Sequence, residues 1–324
     1  MKALWITWEV QRRNRSMANA LNSSYFEFTT SKKGVLRYAE LTLKTIKLLY
    51  NEKPDVVFAQ NPSIVLAFLV VTFKRIFGYV SVVDEHNAGL FPLEGRSIFL
   101  KNIARWIVSN SDIVVVTNEP LANMCLEWGG CPVVVPDPLP SFDTKKHYTR
   151  IGNKLTLLFI CSWAEDEPFY ELLEAASMLD SEKYEIRITG RPPNGIEDKC
   201  PESVTLLGFV SDEDFISELF GSDAVVVLTN RENCLNCGAY EAVSAGKPGI
   251  LSNTLSLRNY FHKGFLFTDN SPKDIRRNIE ILGSDLVVHS KALENLKGSL
   301  VELEAAALDK LKAAVRSKYE SSSN

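Results

Sequence analysis

Short runs of β-branched and aliphatic residues recur along the chain, separated by stretches in which apolar residues return with helical spacing. In the first half these runs are Ala3–Thr7, Val56–Ala59, Val80–Val83, Ile113–Thr117 and Val133–Val135. In the second half they are Leu155–Ile160, Tyr184–Thr189, Val204–Leu207, Ala224–Leu228, Gly249–Leu251 and Phe265–Phe267. A strand that is apolar on both faces must be covered on both, as in a parallel sheet between two helical layers. Continued through the whole chain, the alternation predicts an α/β protein built of doubly wound parallel sheets. The segment Pro136-Asp137-Pro138-Leu139-Pro140 interrupts it, because three prolines in five positions deny both helix and central strand. The pattern therefore predicts two Rossmann-like domains, 1–140 and 141–290, facing a cleft. In the remainder, 291–324, the stretch Ala292–Lys318 carries the apolar stripe of a helix, and the closing Ser-Ser-Ser-Asn reads as a frayed tail.

Composition narrows the picture. At about 150 residues per domain, 324 residues suit two domains, each able to bury a core. Lys and Arg number 36 against 40 Asp and Glu, a formal charge of −4, so the basic excess of a nucleic-acid binder is missing. Six unevenly spaced cysteines suit reduced thiols in a cytoplasm rather than a disulfide framework. The opening run Met1–Thr7 meets charge at Glu9 and is too short for a signal peptide. The longest apolar run, Ile64–Val71, falls far below the ~20 residues that cross a bilayer. That run continues to Lys74 and Arg75 as a core helix with a cationic end, and an exposed face on it would let the first domain rest on an anionic membrane. Cys234-x-x-Cys237 has no second ligand pair and the histidines are scattered, so neither an essential metal nor another cofactor is expected.

In open α/β sheets, ligands sit beyond the carboxyl ends of the strands. No G-x-G-x-x-G follows a strand and no Walker loop occurs, which removes the main support for dinucleotide oxidoreductases and P-loop NTPases. The most informative segment runs from Leu228 to Ile250: a strand end, a polar loop through Glu232 and Asn233, then a helix opening at Cys237-Gly238-Ala239-Tyr240 with Glu241 one turn in. Free N–H groups at that helix start suit an anion such as a diphosphate, and Glu241 suits a ribose diol. A plain strand–loop–helix with a favourable N-terminal acid fits the same residues.

Gly-Ala-Tyr-Glu-Ala-Val-Ser-Ala-Gly-Lys-Pro (238–248) resembles the donor-site segment of GT-B glycosyltransferases, particularly family 4, the group 1 enzymes. That family places seven residues between a first acid and the second. Here Asn233 holds that position and Glu232 lies one residue earlier, so either takes the first acid's place. The resemblance implies that the first acid contacts the donor sugar and Glu241 the ribose. Ser252–Phe261 and Lys263-Gly264 continue the likeness to a bacterial branch of these enzymes. Gln60-Asn61-Pro62-Ser63 and Asp84-Glu85-His86-Asn87 are similar to chitobiosyldiphosphodolichol β-mannosyltransferases, GT-B enzymes that use GDP-mannose. Ser162–Phe169 and Thr189-Gly190-Arg191 fit the same pattern.

His86, emerging after a strand, is the candidate to orient the donor or steer the acceptor hydroxyl. Asp84 and Glu85 beside it are candidate bases if the reaction inverts the sugar's configuration; a retaining reaction needs none. The donor diphosphate demands N–H groups or cations. Many family 4 enzymes supply an Arg and a Lys after the first strand of the second domain, but here that loop, Cys161–Pro168, has neither. Arg191 is the nearest substitute, with Arg258 and Lys263 behind it. The acceptor side falls to Trp8, Glu9, Arg12 and Arg13 in the first loop, with Asn61 and Asn87. The resemblance thus implies a hexosyltransferase drawing on a nucleotide diphosphate sugar, GDP-mannose foremost and a UDP-sugar next. It would act on a glycan or lipid-linked saccharide of cell-surface polysaccharide assembly, from the cytoplasm or the inner face of the membrane. A nucleotide-sugar epimerase on the same fold and a non-catalytic partner subunit are the rival expectations.

Overall fold

The computed structural model of the chain describes residues 1–61, 63–142 and 148–322, with Arg12 and Glu94 described by their backbone only. It divides into two compact units, Met1–Pro138 with Leu303–Asn324, and Leu139–Glu302. The division falls inside the proline segment, where the backbone cannot join a helix or a ladder.

The first unit contains β1 (Ala3–Thr7), α1 (Arg12–Ala20), β2 (Ser24–Glu27), α2 (Gly34–Glu52), β3 (Val56–Asn61), α3 (Ile64–Phe77) and β4 (Val80–Glu85). It continues through α4 (Asn87–Leu90), a 3-10 turn (Pro92–Gly95), α5 (Ile98–Asn110), β5 (Ile113–Val116), α6 (Glu119–Glu127) and β6 (Pro132–Val134). The sheet order is β2-β1-β3-β4-β5-β6, every pair parallel. Strand alternation sends Ala3 and Trp5 to one face, with Met17 and Ala18 of α1, and Leu4 and Ile6 to the other, with Leu41 of α2 and Leu66 of α3. On that second face α2 packs on α3, α3 on α5 and α5 on α6. The helices stop where chemistry dictates: Gly78 takes a left-handed φ of 72° after α3, and Ser97 caps α5 by accepting from the Leu100 N–H. β2 is the one strand absent from the apolar pattern. As an edge strand with no fully buried residue it needs no apolar run.

The second unit contains β7 (Leu155–Phe159), α7 (Phe169–Ser177), β8 (Tyr184–Thr189), β9 (Val204–Gly208), α8 (Asp212–Gly221), β10 (Ala224–Val227) and α9 (Cys237–Ala245). After these come β11 (Gly249–Ser252), α10 (Leu255–Tyr260), β12 (Phe265–Thr268), α11 (Pro272–Ser284) and α12 (Leu286–Ser322). Its sheet, β12-β11-β10-β7-β8-β9, is parallel throughout.

The last helix is longer than its apolar stripe suggested and is shared by the two units. Leu293, Leu296 and Leu300 fill the second unit's core, whereas Leu311 and Val315 fill the first unit's. Ser321 and Ser322 belong to the helix, their hydroxyls donating back to the Lys318 carbonyl, rather than to a frayed tail. No helix among the described residues is long and apolar enough to cross a membrane.

Candidate active site

At the carboxyl end of the first sheet, three adjacent strands end in polar residues that hydrogen-bond to one another. Thr7 Oγ1 and Asn14 Nδ2 both donate to Gln60 Oε1, at 2.9 and 2.7 Å, and Trp5 Nε1 donates to Asn14 Oδ1 at 3.1 Å. Beside them Asp84, 1% exposed, closes β4. Arg13 donates to it twice, through Nε to Oδ2 at 3.2 Å and Nη2 to Oδ1 at 3.0 Å. Its other donors go to Asp137 Oδ1 at 2.6 Å and to the carbonyls of Val135 and Pro136. A guanidinium has five N–H donors, and all five are spent on the protein. Arg13 is therefore a clamp on Asp84 and on the start of the proline segment, not the acceptor-binding cation expected of it.

Burial alone would lower the Arg13 pKa, but the Asp84 and Asp137 carboxylates outweigh it and raise it above its ordinary value. Burial likewise opposes the Asp84 charge, yet Arg13 and then His86 hold that carboxyl well below the usual range. An acid so strongly ionised is a poor proton acceptor. What it does is hold His86, whose Nε2 lies 3.3 Å from Asp84 Oδ2. His86 is about a quarter exposed (23% of its side chain), which leaves it open to a substrate.

Glu85 alternates to the opposite face and is fully buried. Asn61 Nδ2 donates to both its oxygens, at 2.9 and 3.0 Å. Gly89 of α4 sits so close that a Cβ there would fall 2.2 Å from Glu85 Oε2. Burial pushes the Glu85 carboxyl up to about 8, with Asp84 adding to the rise. With no exposed atom to offer a substrate, Glu85 is a structural acid rather than a candidate base. Because its folded pKa is raised above the unfolded value of 4.5, the stability it contributes is complete below about pH 4.5 and is lost as pH rises towards 8. Glu85→Gln is expected to flatten the stability profile between those limits by a few kcal/mol. Urea unfolding at pH 5, 6.5 and 8 measures it; parallel profiles for both proteins would refute the assignment.

The other acceptor candidates are placed differently. Trp8 is 2% exposed and donates its Nε1 to Thr45 Oγ1 at 3.1 Å, so its ring belongs to the core. Glu9 is half-buried and pairs with Arg37 at 2.9 Å. The Arg12 side chain lies outside the described residues. Asn87 opens α4, next to His86.

In the second unit, the loop after β7 closes on itself. Glu167 Oε2 accepts from the Ser162 and Ala164 N–H groups, both at 2.9 Å, and from Ser162 Oγ at 3.0 Å. A carboxylate thus fills the anion nest that these N–H groups form, which leaves the loop unsuited to phosphate. Gly190, after β8, holds a φ of +85°, and a Cβ on it would fall 2.3 Å from the Cys161 carbonyl oxygen. Gly190→Ala combines a left-handed backbone with that collision and is expected to cost at least 2 kcal/mol, order of magnitude. Thermal unfolding checks it, an unchanged melting temperature being the contrary result.

The start of α9 offers the alternative phosphate site. Asn236 is its N-cap but makes no side-chain cap hydrogen bond. Gly238 is buried against Ile160 and Val227, where a Cβ would have neighbours at 3.0–3.1 Å, so glycine brings the helix start against the strand ends. Ala239 and Tyr240 are buried, Tyr240 edge-on to Phe261 with centroids 5.2 Å apart, and the Ala239 N–H donates to the Asn236 carbonyl at 3.0 Å. Glu241 is half-buried one turn in, and Glu232, Asn233 and Cys237 are exposed on the preceding loop and first turn. Arg191 and Arg258 are exposed, at the end of β8 and in α10. Among the described residues no three His, Cys, Asp or Glu side chains converge as a metal site.

One cluster escaped the sequence reading. Thr229 N donates to Ser252 Oγ at 2.8 Å, Ser252 Oγ to Asn270 Oδ1 at 2.7 Å, and Thr229 Oγ1 to Asp166 Oδ2 at 2.8 Å. Arg231 pairs with Asp166 at 3.2 Å. These residues end or follow β10, β11, β12 and β7, and the available signal was their place, a polar residue closing each apolar run.

The family described as "Glycosyl transferases group 1" matches residues 154–285, which span β7 to α11 and carry the α9 site. Among solved structures, sucrose-phosphate synthase from Thermosynechococcus elongatus superposes with a TM-score of 0.76 at 12% identity, over 99% of this chain and 100% of that one. HepE of Anabaena, solved with UDP, gives 0.73 at 13% identity, over 98% and 100%. A putative UDP-N-acetylglucosamine 2-epimerase from Listeria monocytogenes gives 0.67 at 14%, over 99% and 98%. No curated protein matches the chain in sequence. Two parallel six-stranded sheets give the chain the GT-B fold, and its second unit matches the glycosyl transferases group 1 family across residues 154–285.

Proposed function

We propose that the chain transfers a hexosyl group from a nucleoside diphosphate hexose to a hydroxyl of a saccharide. The observation that carries this reading is the α9 start, uncapped by its own Asn236 and lying within the stretch that matches group 1 transferases. There the diphosphate meets the N–H groups of Cys237 and Gly238 and the positive end of the helix dipole, with Glu241 on the ribose hydroxyls. Arg191 and Arg258 supply the cations that the self-closed loop 161–168 lacks.

On the acceptor side, His86 takes the proton of the attacking hydroxyl. That oxygen bonds to the anomeric carbon, the carbon–oxygen bond to the diphosphate breaks, and the nucleoside diphosphate leaves with both electrons of that bond. Asp84 orients the imidazole and stabilises the imidazolium that forms, while Arg13 fixes Asp84. A base so positioned favours inversion at the anomeric carbon. Glu232 or Asn233 contacts the donor sugar.

GDP-mannose rests on the mannosyltransferase likeness around Asp84–Asn87. A UDP-hexose is the second reading, favoured by the HepE structures holding UDP and UDP-glucose. The acceptor in this reading is a lipid-linked saccharide of cell-surface polysaccharide assembly, met at the membrane surface. Thermal unfolding with UDP, GDP, ADP and dTDP tests the donor site. A ligand at 100 times its Kd adds about 2.7 kcal/mol. One nucleotide is expected to raise the melting temperature, and Glu241→Ala to diminish the rise; no shift with any nucleotide would overturn the donor assignment.

A further inference from the structure

At the carboxyl end of the second sheet, one chain of hydrogen bonds crosses four neighbouring strands in the order in which they lie, β12-β11-β10-β7. Asn270, beyond β12, accepts from Ser252 Oγ at the end of β11, at 2.7 Å. Ser252 accepts the Thr229 N–H beyond β10 at 2.8 Å, and Thr229 Oγ1 donates to Asp166 Oδ2 beyond β7 at 2.8 Å. Asn270 also reaches past Ser252: its Nδ2 donates to the Thr229 carbonyl at 3.2 Å and to Asn230 Oδ1 at 3.0 Å. It does so from a φ of +67°, in the left-handed region that asparagine enters more readily than most side chains. From the opposite flank the Asp166 carbonyl accepts the Asn230 N–H at 2.7 Å, and the Asp166 carboxylate pairs with Arg231 at 3.2 Å. Thr229 is fully buried, so water does not compete for its hydroxyl.

Asp166 is itself anchored. The loop 161–168 that carries it is closed by Glu167, whose N–H donates to the Ala164 carbonyl at 3.0 Å while its carboxylate takes the N–H groups of Ser162 and Ala164. Residues 229–231, which open the loop between β10 and α9, are therefore gripped by a closed loop on one side and by Asn270 on the other. Four residues after Arg231 the chain is fixed again, because Leu235 is buried in the core that holds Val227 and Ala239. Glu232, Asn233 and Cys234 form the bridge between these fixed points, and the exposed pair Glu232 and Asn233 is the part assigned to the donor sugar. A bridge this short moves only when one of its ends moves, and a misplacement of about 1 Å at a reacting centre is enough to cost orders of magnitude in rate.

We propose that Asp166 and Asn270 are positioning residues: without touching the donor, they hold the start of the β10–α9 loop so that Glu232 and Asn233 meet the hexose ring. They thereby set how much the sugar adds to the affinity of the donor over that of its nucleotide. The inference rests on the transferase reading of this loop and extends it to two residues outside the loop. Asn270→Gly keeps the left-handed backbone at no steric cost but removes the side-chain grip. Asp166→Ala releases Thr229 and Arg231 together. Thr229→Val deletes the hydroxyl that joins the two flanks, and Thr229→Ser retains it.

Calorimetric titration of the full chain with UDP against UDP-glucose, and with GDP against GDP-mannose, is the experiment. The wild type is expected to bind one donor more tightly than its nucleoside diphosphate. Asn270→Gly, Asp166→Ala and Thr229→Val are each expected to weaken that donor about tenfold. The nucleoside diphosphate, held at the α9 start beyond Leu235, should keep its Kd within about twofold. Thr229→Ser should bind both ligands as the wild type does. Asn270 is half-buried, so Asn270→Gly keeps the test decisive if Thr229→Val fails to fold. Variants that weaken nucleotide and donor together, or that leave the donor's affinity unchanged, overturn the assignment. So does a wild type that binds nucleotide but gains nothing from the hexose. Absence of any nucleotide binding in the wild type would instead overturn the transferase reading, and this inference with it.

Discussion

Replacing His86 by alanine is expected to lower kcat by about 10²–10⁴, the range by which a positioned acid or base speeds transfer, with little change in the melting temperature. The imidazole is part-exposed, and its described side-chain partner is Asp84. Removing it leaves the Asp84 carboxylate in the grip of Arg13, so no buried charge is stranded. His86→Gln separates proton transfer from hydrogen bonding: a glutamine that restores nucleotide-dependent KM but not kcat supports the base. Full activity in His86→Ala would move the proton acceptor elsewhere and return the retaining reaction to the front.

Replacing Asp84 by alanine acts on stability as well as turnover. Arg13 is 8% exposed and would keep one carboxylate, Asp137, in place of two, with its Nε left without a partner. Breaking a buried ion pair from one side costs about 3–5 kcal/mol. Asp84→Asn keeps the volume but cannot carry the charge, and is expected to lose a large part of the same amount. Because the Asp84 pKa is depressed, the stability it contributes is present above its unfolded value of 3.8 and is lost as pH falls through the folded one. The wild type should therefore lose stability in acid below that value, and Asp84→Asn should not lose this part. Equilibrium unfolding of both proteins from pH 6 to about pH 2 decides it; a cost under 1 kcal/mol for the alanine variant would mean that Arg13 finds water.

How much of this was legible depended on whether an interaction is local. The strands were visible because a parallel strand covered on both faces must be a continuous apolar run, and Ala3–Thr7 and Tyr184–Thr189 were placed to the residue. β2 was invisible because an edge strand is free of that demand. The α9 start was legible for a similar reason: glycine, a small residue and a following acid are short-range features of a helix N-terminus. The role of Arg13 was not, because its partners lie 71 and 124 residues away, and a buried clamp and an exposed acceptor-binding cation read alike in a sequence. Trp8 misled in the same way: a tryptophan in a loop after a strand suits sugar stacking, and only Thr45, 37 residues on, shows that its ring is committed to the core. Asp84, Glu85 and His86 were found together as one motif, and side-chain alternation along β4 then separated them into an orienting carboxylate, a buried acid and an accessible imidazole.

The most direct test of the central claim follows the fate of the donor. The full chain is incubated with UDP-hexoses and with GDP-mannose, each with and without a lipid-linked saccharide fraction, and both nucleoside diphosphate and sugar are quantified for wild type and His86→Ala. The account predicts nucleoside diphosphate release from one donor that rises with acceptor, leaves the remaining donor sugar unchanged in configuration, and falls by at least about a hundredfold in His86→Ala. Conversion of the donor to an epimer without acceptor, or release that neither acceptor nor His86 affects, would contradict it.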